Sequence, residues 1–143
     1  MIRSPARHAA AMLARCRRGV TAVEFALVAP VFMMLLFGLI EGGRMLWLKQ
    51  TLNEVAFSTA RCMSVGTDCP TLAQQRAYAV TRAAGYGVTI TAADITITAN
   101  TSCDGNANAN RISITERFNS PVLGLLPMLP STVAAHACFP TLG

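Results

Sequence analysis

A glycine, a carboxylate and an aromatic ring stand at the start of a long apolar run in this chain. Gly19 is followed five residues later by Glu24 and then Phe25, and residues 25–40 (FALVAPVFMMLLFGLI) include no charged or strongly polar side chain. A charged side chain within a membrane-spanning segment costs about 2.5–3.5 kcal/mol on insertion scales. Glu24 therefore predicts a specific ionic partner or a specific task at this position.

Four cysteines are the second group of residues whose side chains could take part in chemistry. Cys62, Cys69, Cys103 and Cys138 follow the apolar run, whereas Cys16 precedes it. An even number of exported cysteines favours disulfides, for which three connectivities exist. We favour a Cys62–Cys69 pair that closes a short loop after a long helix, and a Cys103–Cys138 pair that ties a strand-end loop to the last strand. A Cys₄ metal site is the competing interpretation, but the chain has no Cys-x-x-Cys pair, so we expect no metal.

Side chains suited to catalysis are few. His136 is the single histidine after the apolar run, and on an alternating strand it is expected to be structural or solvated. Residues 104–108 (DGNAN) are similar to the start of a calcium loop, but Ala109 and Thr115 occupy the positions that need Gly and Glu. We interpret residues 104–110 as a polar hairpin loop and expect no enzyme activity and no cofactor.

The apolar run must position Glu24, and it is long enough to cross a membrane. Residues 20–40 would span about 31 Å as a helix, which matches the hydrocarbon core of a bilayer. Five arginines and no acidic residue precede Gly19. The positive-inside rule then places the N-terminus in the cytoplasm and sends the chain beyond about Arg44 across the membrane.

The basic character of the chain belongs to this N-terminal stretch. Of the 12 Lys and Arg residues, five lie before Gly19 and seven after it, and all seven Asp and Glu residues lie after it. The charges after Gly19 therefore sum to 7 − 7 = 0. A nucleic-acid-binding protein would need a basic patch on a folded face, so we expect no nucleic-acid partner.

Two ordinary interpretations explain the N-terminus less well. A secretory signal peptide has an apolar region of about 7–15 residues and a small-x-small cleavage site, whereas this run is longer and ends without an Ala-x-Ala pattern. An uncleaved anchor, with Glu24 paired to Arg17 or Arg18, is the stronger alternative. It leaves Gly19 unexplained.

The stretch RRGVTAVEFALVAPVF resembles the processing site of prepilin-like proteins of the tight-adherence (Tad, Flp pilus) systems, and TadE-like minor pseudopilins in particular. The pattern of that family is Gly, four residues, then Glu-Phe or Glu-Tyr. The resemblance implies cleavage between Gly19 and Val20 by a prepilin peptidase, a membrane aspartic protease. It also implies that Glu24, followed by Phe25, recognises the new amino terminus of a neighbouring subunit during assembly.

The resemblance further implies a role in assembling a Tad-type (Flp, type IVc) pilus, in the bacterial inner membrane with the C-terminal domain in the periplasm. The implied partners are the prepilin peptidase, pilin and other pseudopilins, the inner-membrane platform proteins of the pilus machine, and membrane lipid. The alternative is an uncleaved single-pass membrane protein that presents a small periplasmic binding domain.

Beyond the membrane, the helix is expected to continue as an amphipathic extension. The residues that predict its buried stripe, at a spacing of three and four, are Met45, Leu48, Leu52, Val55, Thr59 and Cys62. Packing of this stripe on the chain's own C-terminal domain is the interpretation we favour, and packing in a pilus-like helix bundle is the alternative. The predicted organisation is a cleaved leader at 1–19, the helix at 20–63 and a periplasmic domain at 64–143.

The C-terminal domain predicts an α+β fold with a small helix, an antiparallel sheet and disulfide staples. Asp68 or Cys69 would cap a helix with Pro70 at its first position and Gly85 as its stop. Alternating apolar residues then predict three strands, at 95–99, 112–115 and 133–139, with 88–91 as a fourth strand or a lead-in. The Leu- and Pro-rich segment at 120–130 is expected to cover the sheet, the alternatives being that it lies on the membrane or binds a partner.

Overall fold

A computed structural model of the chain describes residues 18–65, 69–121 and 130–141. Most of the predicted leader, with Cys16, and most of the Leu- and Pro-rich segment lie outside the described residues. The chain divides into two units, Met1–Ile40 and Glu41–Gly143.

The order of elements is helix, helix, and then three strands, which confirms the predicted α+β class. A short 3₁₀ turn at Ala92–Asp94 leads into the sheet. The helices are α1 (Arg18–Val65) and α2 (Leu72–Gly85), and the strands are β1 (Ile95–Cys103), β2 (Asn106–Arg117) and β3 (Thr132–Pro140).

In the first unit, α1 is an apolar helix whose described side chains are almost all exposed. Its most apolar stretch has a mean hydropathy of 2.4 and none of it is buried within the protein. Phe25 and Leu39, for example, are 73% and 68% exposed. A contiguous apolar surface of this size is not stable in water, and the helix is long enough to cross a bilayer, so α1 carries a candidate membrane span.

In the second unit, the rest of α1 turns one stripe of side chains inward. Leu52, Val55 and Thr59 are fully buried, and Met45 and Leu48 pack at the edge of the same core. The predicted stripe therefore packs on the chain's own domain. Ala56 and Ala60 complete the contribution of α1 to this core. The members outside α1 come from α2, the sheet and the segments that flank it: Ala79, Ala83, Ile90, Ile95, Ile112, Ile114, Phe118, Val133 and Ala135.

The sheet is antiparallel with β2 in the centre. Ile112 lies opposite Ile97 on β1 and Ala137 on β3, so the apolar members of the alternation share one face. That face meets α1 and α2, as the alternating sequence predicts. Polar contacts accompany the packing, because Asn110 Nδ2 donates to Ser64 Oγ at 2.9 Å and Lys49 Nζ donates to the Ala134 carbonyl.

The hairpin between β1 and β2 is tighter than we predicted. The chain turns at Asp104 and Gly105, with φ of 49° and 84°, and β2 begins at Asn106. Two consecutive positive φ angles match a type I′ turn, which suits the twist of antiparallel strands and favours Asp-Gly. The interpretation of residues 104–110 as a polar loop is therefore wrong after Gly105, and β-strand geometry there also excludes a calcium loop.

The start of α2 also differs from the prediction. Thr71 is the N-cap in place of the predicted Cys69, and Pro70 precedes the cap. Asp68, the other predicted cap, lies outside the described residues. Gln74 N donates to Thr71 Oγ1 at 3.3 Å while Thr71 N donates to Gln74 Oε1 at 3.2 Å. This reciprocal capping box satisfies two backbone donors at once, which fixes the N-cap one residue beyond Pro70 and the helix start at Leu72, two residues beyond it.

The three predicted strands are present, but each is longer than predicted, and β2 begins at Asn106, six residues before its predicted start. The predicted end of α2 at Gly85 is confirmed. Residues 88–91 join no strand and form the lead-in to the 3₁₀ turn. Ile90, one of these residues, is buried.

The centre of the sheet should dominate the stability of the domain. Ile112 is fully buried, and we expect Ile112→Ala to lower the free energy of unfolding by about 2–5 kcal/mol because it leaves a cavity. Thr115→Ala, on the exposed face of the same strand, should change it by about 0.5 kcal/mol or less. Urea unfolding of the full chain in detergent micelles measures both, and equal losses would contradict this placement of the core.

Candidate functional site

The predicted processing site lies at the beginning of α1. The helix begins at Arg18, so the bond between Gly19 and Val20 lies in its first turn. The side chain of Val20 is 59% exposed and that of Phe25 is 73% exposed. The motif is therefore carried on the surface of a helix, and its cleavage stays a prediction.

Glu24 is an exposed carboxylate within this apolar helix. Among the side chains that the structure describes, none forms an ion pair with it. Arg17 and the Arg18 side chain, which the uncleaved-anchor interpretation requires as partners, lie outside that part of the chain. Val20 and Glu24 are four residues apart, which places them on the same side of the helix.

A second acid of α1, Glu41, is in the opposite situation. It is 6% exposed, and its Oε1 accepts from Arg44 Nη1 at 2.9 Å. The Arg44 guanidinium also lies over the Phe118 ring, 5.8 Å from its centroid. The other oxygen of Glu41 is buried without a hydrogen-bond partner among the described residues. Arg44 thus neutralises a buried acid and ties the first turn of the domain to the end of β2.

The first cysteine pair joins the end of α1 to the segment that precedes α2. Cys62, near the end of α1, is bonded to Cys69, with Cα atoms 5.9 Å apart. This distance lies within the ordinary range of a disulfide. Cys69 is buried, and its carbonyl accepts from Gln75 Nε2 at 3.0 Å. The disulfide and this hydrogen bond together fix the segment that leads into α2.

The second pair joins the two edge strands of the sheet. Cys103 ends β1 and Cys138 lies in β3, with Cα atoms 6.0 Å apart. Strands two places apart in a regular sheet are separated by roughly 9.5 Å, twice the interstrand spacing. The pairing of β1 with β2 is irregular on both sides of Thr101, and this irregularity accompanies the closer approach. The structure thus has the connectivity that we favoured among the three.

Asp104 adds a carboxylate to this second pair. Its carboxylate oxygen and the Sγ atoms of Cys103 and Cys138 all lie within 4.8 Å of one another. A metal would need the thiolate form of the cysteines, but both sulfurs are engaged in a disulfide. The cluster is therefore a covalent staple beside an exposed acid.

The remaining charged groups support local structure. Thr91 donates from its backbone and hydroxyl groups to Asp94, and these hydrogen bonds lower the pKa of Asp94. Partial burial, and secondarily the charge of Asp94, raises the pKa of Glu116. His136 is exposed on the outer face of the sheet, opposite Ser113.

Sequence reasoning did not predict which side chains are buried and which are exposed where α1 enters the domain. Glu41 is buried, whereas Leu46 and Trp47 are 66% and 60% exposed. The i,i+3 spacing of Glu41 and Arg44 was the available signal for the ion pair. The spacing of Leu46 and Trp47, which are out of phase with the buried stripe, was the available signal for their exposure.

The two disulfides should differ in their contribution to stability. Replacing Cys103 and Cys138 together by serine should lower the unfolding free energy by about 3–4 kcal/mol, because 35 residues separate them. The same change at Cys62 and Cys69, seven residues apart, should cost about 2 kcal/mol.

Thiol labelling of unfolded, non-reduced protein should leave all four of these cysteines unmodified. Labelling of any of the four cysteines at full stoichiometry would contradict the two disulfides. Equal losses of unfolding free energy in the two double variants would contradict the expected difference between them.

Comparison with known proteins identifies a protein family that part of the chain resembles. Residues 19–61 match the family model described as TadE-like protein. Neither the curated proteins nor the solved structures contain a significant match to the chain. The matched segment starts at Gly19, includes Glu24 and Phe25, and ends one residue before Cys62. Over residues 19–61, which form nearly all of α1, the chain is similar to the TadE-like family.

Proposed function

We propose that this protein is a pseudopilin-like component for assembly of a Tad-type pilus, processed by a prepilin peptidase. The observation that carries the proposal is the coincidence of three features in one segment. The TadE-like match begins at Gly19, an exposed acid follows at Glu24, and the helix around that acid is apolar and unburied.

Processing would occur between Gly19 and Val20. Glycine lets another backbone approach closely because it has no side chain, and here it separates the arginine-rich leader from the apolar helix. The positive-inside rule supports a cytoplasmic position for this bond in the bacterial inner membrane. It then supports a periplasmic position for the second unit, where disulfides are stable.

Cleavage would give Glu24 a counter-charge. The new amino terminus at Val20 is an ammonium, and an ammonium and a carboxylate attract each other strongly at low dielectric. A partner is needed because an unpaired charge within a bilayer is unfavourable. We propose that Glu24 of one subunit receives the ammonium of a neighbour, pilin or another pseudopilin, with Phe25 beside it on the helix surface.

The proposed role is structural, in assembly, and not catalytic. The prepilin peptidase would act on the leader, and platform proteins of the inner membrane would receive the processed subunit. Membrane lipid surrounds the apolar part of α1 in this proposal. An uncleaved membrane anchor with a periplasmic binding domain predicts the same fold, so processing and dependence on Glu24 separate the two.

Processing should depend on Gly19. Gly19→Val should accumulate a precursor that retains residues 1–19, because the added side chain obstructs the approach of the peptidase. Gly38→Val is a matched control, since a Cβ at Gly38 has open space around it, and it should be processed normally. Intact-mass analysis of membrane fractions reports the N-terminus, and Met1 retained in functional wild-type protein would refute processing.

Assembly should depend on the charge of Glu24. Glu24→Gln keeps the size of the side chain and lowers the insertion penalty, so membrane levels and processing should be normal. Removing one partner of a buried ion pair costs about 3–5 kcal/mol, so crosslinks to pilin or other pseudopilins and surface pili should be lost.

Glu54→Gln provides the control for this experiment, because Glu54 is a partly exposed acid of the same helix with its own partner, Arg82, at 3.5 Å. It should leave crosslinks and piliation unchanged. In-membrane crosslinking between subunits also distinguishes this pairing from one within a single subunit. Unchanged crosslinking and piliation in Glu24→Gln would rule out the subunit pairing.

A further inference from the structure

The first turns of α1 within the second unit expose two large apolar side chains. Leu46 is 66% exposed and Trp47 is 60% exposed. Their neighbours Met45 and Leu48 instead pack against the core of the domain. Leu46 and Trp47 therefore lie outside the buried stripe that packs on the domain.

The exposed surface of α1 changes character just after Trp47. Up to Trp47 the exposed large side chains are almost all apolar, whereas the exposed positions that follow include Lys49, Gln50 and Arg61. Phe57 is the one large apolar exception before the end of the helix, and its ring packs edge-on against Phe139 at 5.9 Å. Trp47 thus marks a boundary between an apolar and a polar helix surface.

Cationic groups surround this boundary. Arg44 has a half-exposed side chain, Arg117 is exposed, and both line an open depression together with Trp47. Of the acids in this region, Glu41 is buried against Arg44, whereas Glu116 is partly buried and lines the same depression. The exposed guanidinium groups of Arg44 and Arg117 therefore lie beside the apolar side chains of Leu46 and Trp47.

We propose that Leu46, Trp47, Arg44 and Arg117 form a membrane-docking surface that rests in the phospholipid headgroup layer of the bilayer that α1 crosses. This inference relies on the membrane span in the proposed function.

The length of the helix supports this occupant. Trp47 follows Ile40 by seven residues, about 10 Å of helix, which is just beyond the roughly 5–8 Å that a headgroup layer adds to the hydrocarbon core. Side chains of a helix lean toward its N-terminus, which for Trp47 is back toward the bilayer. Tryptophan is enriched at this interface because its ring is apolar and its indole N–H needs a polar partner. Guanidinium groups bind phosphate through several donors. Lipid headgroups thus match both the apolar and the cationic part of the surface.

The chain provides its own probe, because Trp47 is its single tryptophan. The full chain would be reconstituted in vesicles of phosphatidylethanolamine and phosphatidylglycerol, with acyl chains brominated near the headgroup or near the terminal methyl. We expect about a twofold loss of Trp47 emission with the shallow bromines, a smaller loss with the deep ones, and protection from aqueous iodide.

Two single-tryptophan variants made in a Trp47→Phe background calibrate the depth. Leu39→Trp, at a 68% exposed position of the apolar helix, should be quenched most by the deep bromines. Leu72→Trp, at a 50% exposed position at the start of α2, should be quenched by iodide alone.

The outcomes separate this inference from the proposed function. Emission of Trp47 that is insensitive to bromines but quenched by iodide, with Leu39→Trp still quenched by lipid, would overturn the docking surface and leave the membrane span intact. Loss of lipid quenching at both positions would overturn both. Protection of Trp47 that disappears when the protein is diluted into excess lipid would show that a second copy covers the surface, and would also overturn the proposal.

Discussion

The fold depends on one constraint, namely that a single helix must satisfy two environments along its length. From Phe25 to Ile40 the side chains of α1 are apolar and almost all exposed, which requires lipid or other helices around them. From Glu41 onward the same helix buries a stripe that includes Leu52 and Val55 against the sheet. The same helix that carries the candidate membrane span therefore also contributes residues to the core of the domain.

The remainder of the domain is small, and two disulfides compensate for its limited core. A core of mainly alanine, valine and isoleucine side chains lies under a three-stranded sheet, and small domains of this kind benefit from covalent staples. One disulfide closes the connection from α1 to α2, and the other links the two edge strands directly. Both restrict the unfolded chain more than they add contacts in the folded one.

The sequence by itself determined the features that depend on local composition and periodicity. Charge and hydropathy located the candidate span, and spacing of three and four predicted the buried stripe around Leu52. Alternation predicted β1, β2 and β3, and the residues from Gly19 to Phe25 were sufficient to suggest the TadE-like family that the comparison supports. The sequence contains these signals because each depends on which face of a single helix or strand is buried away from water.

Only the tertiary structure decided what depends on residues distant in sequence or on competing local hydrogen bonds. Three cysteine connectivities were open until the edge strands placed Cys103 beside Cys138. The cap at Thr71 prevailed over the proline rule because its reciprocal bonds with Gln74 satisfy two backbone donors. Trp47 is exposed and Glu41 buried because the domain packs against only one side of α1, and which side it takes is fixed by the assembled core.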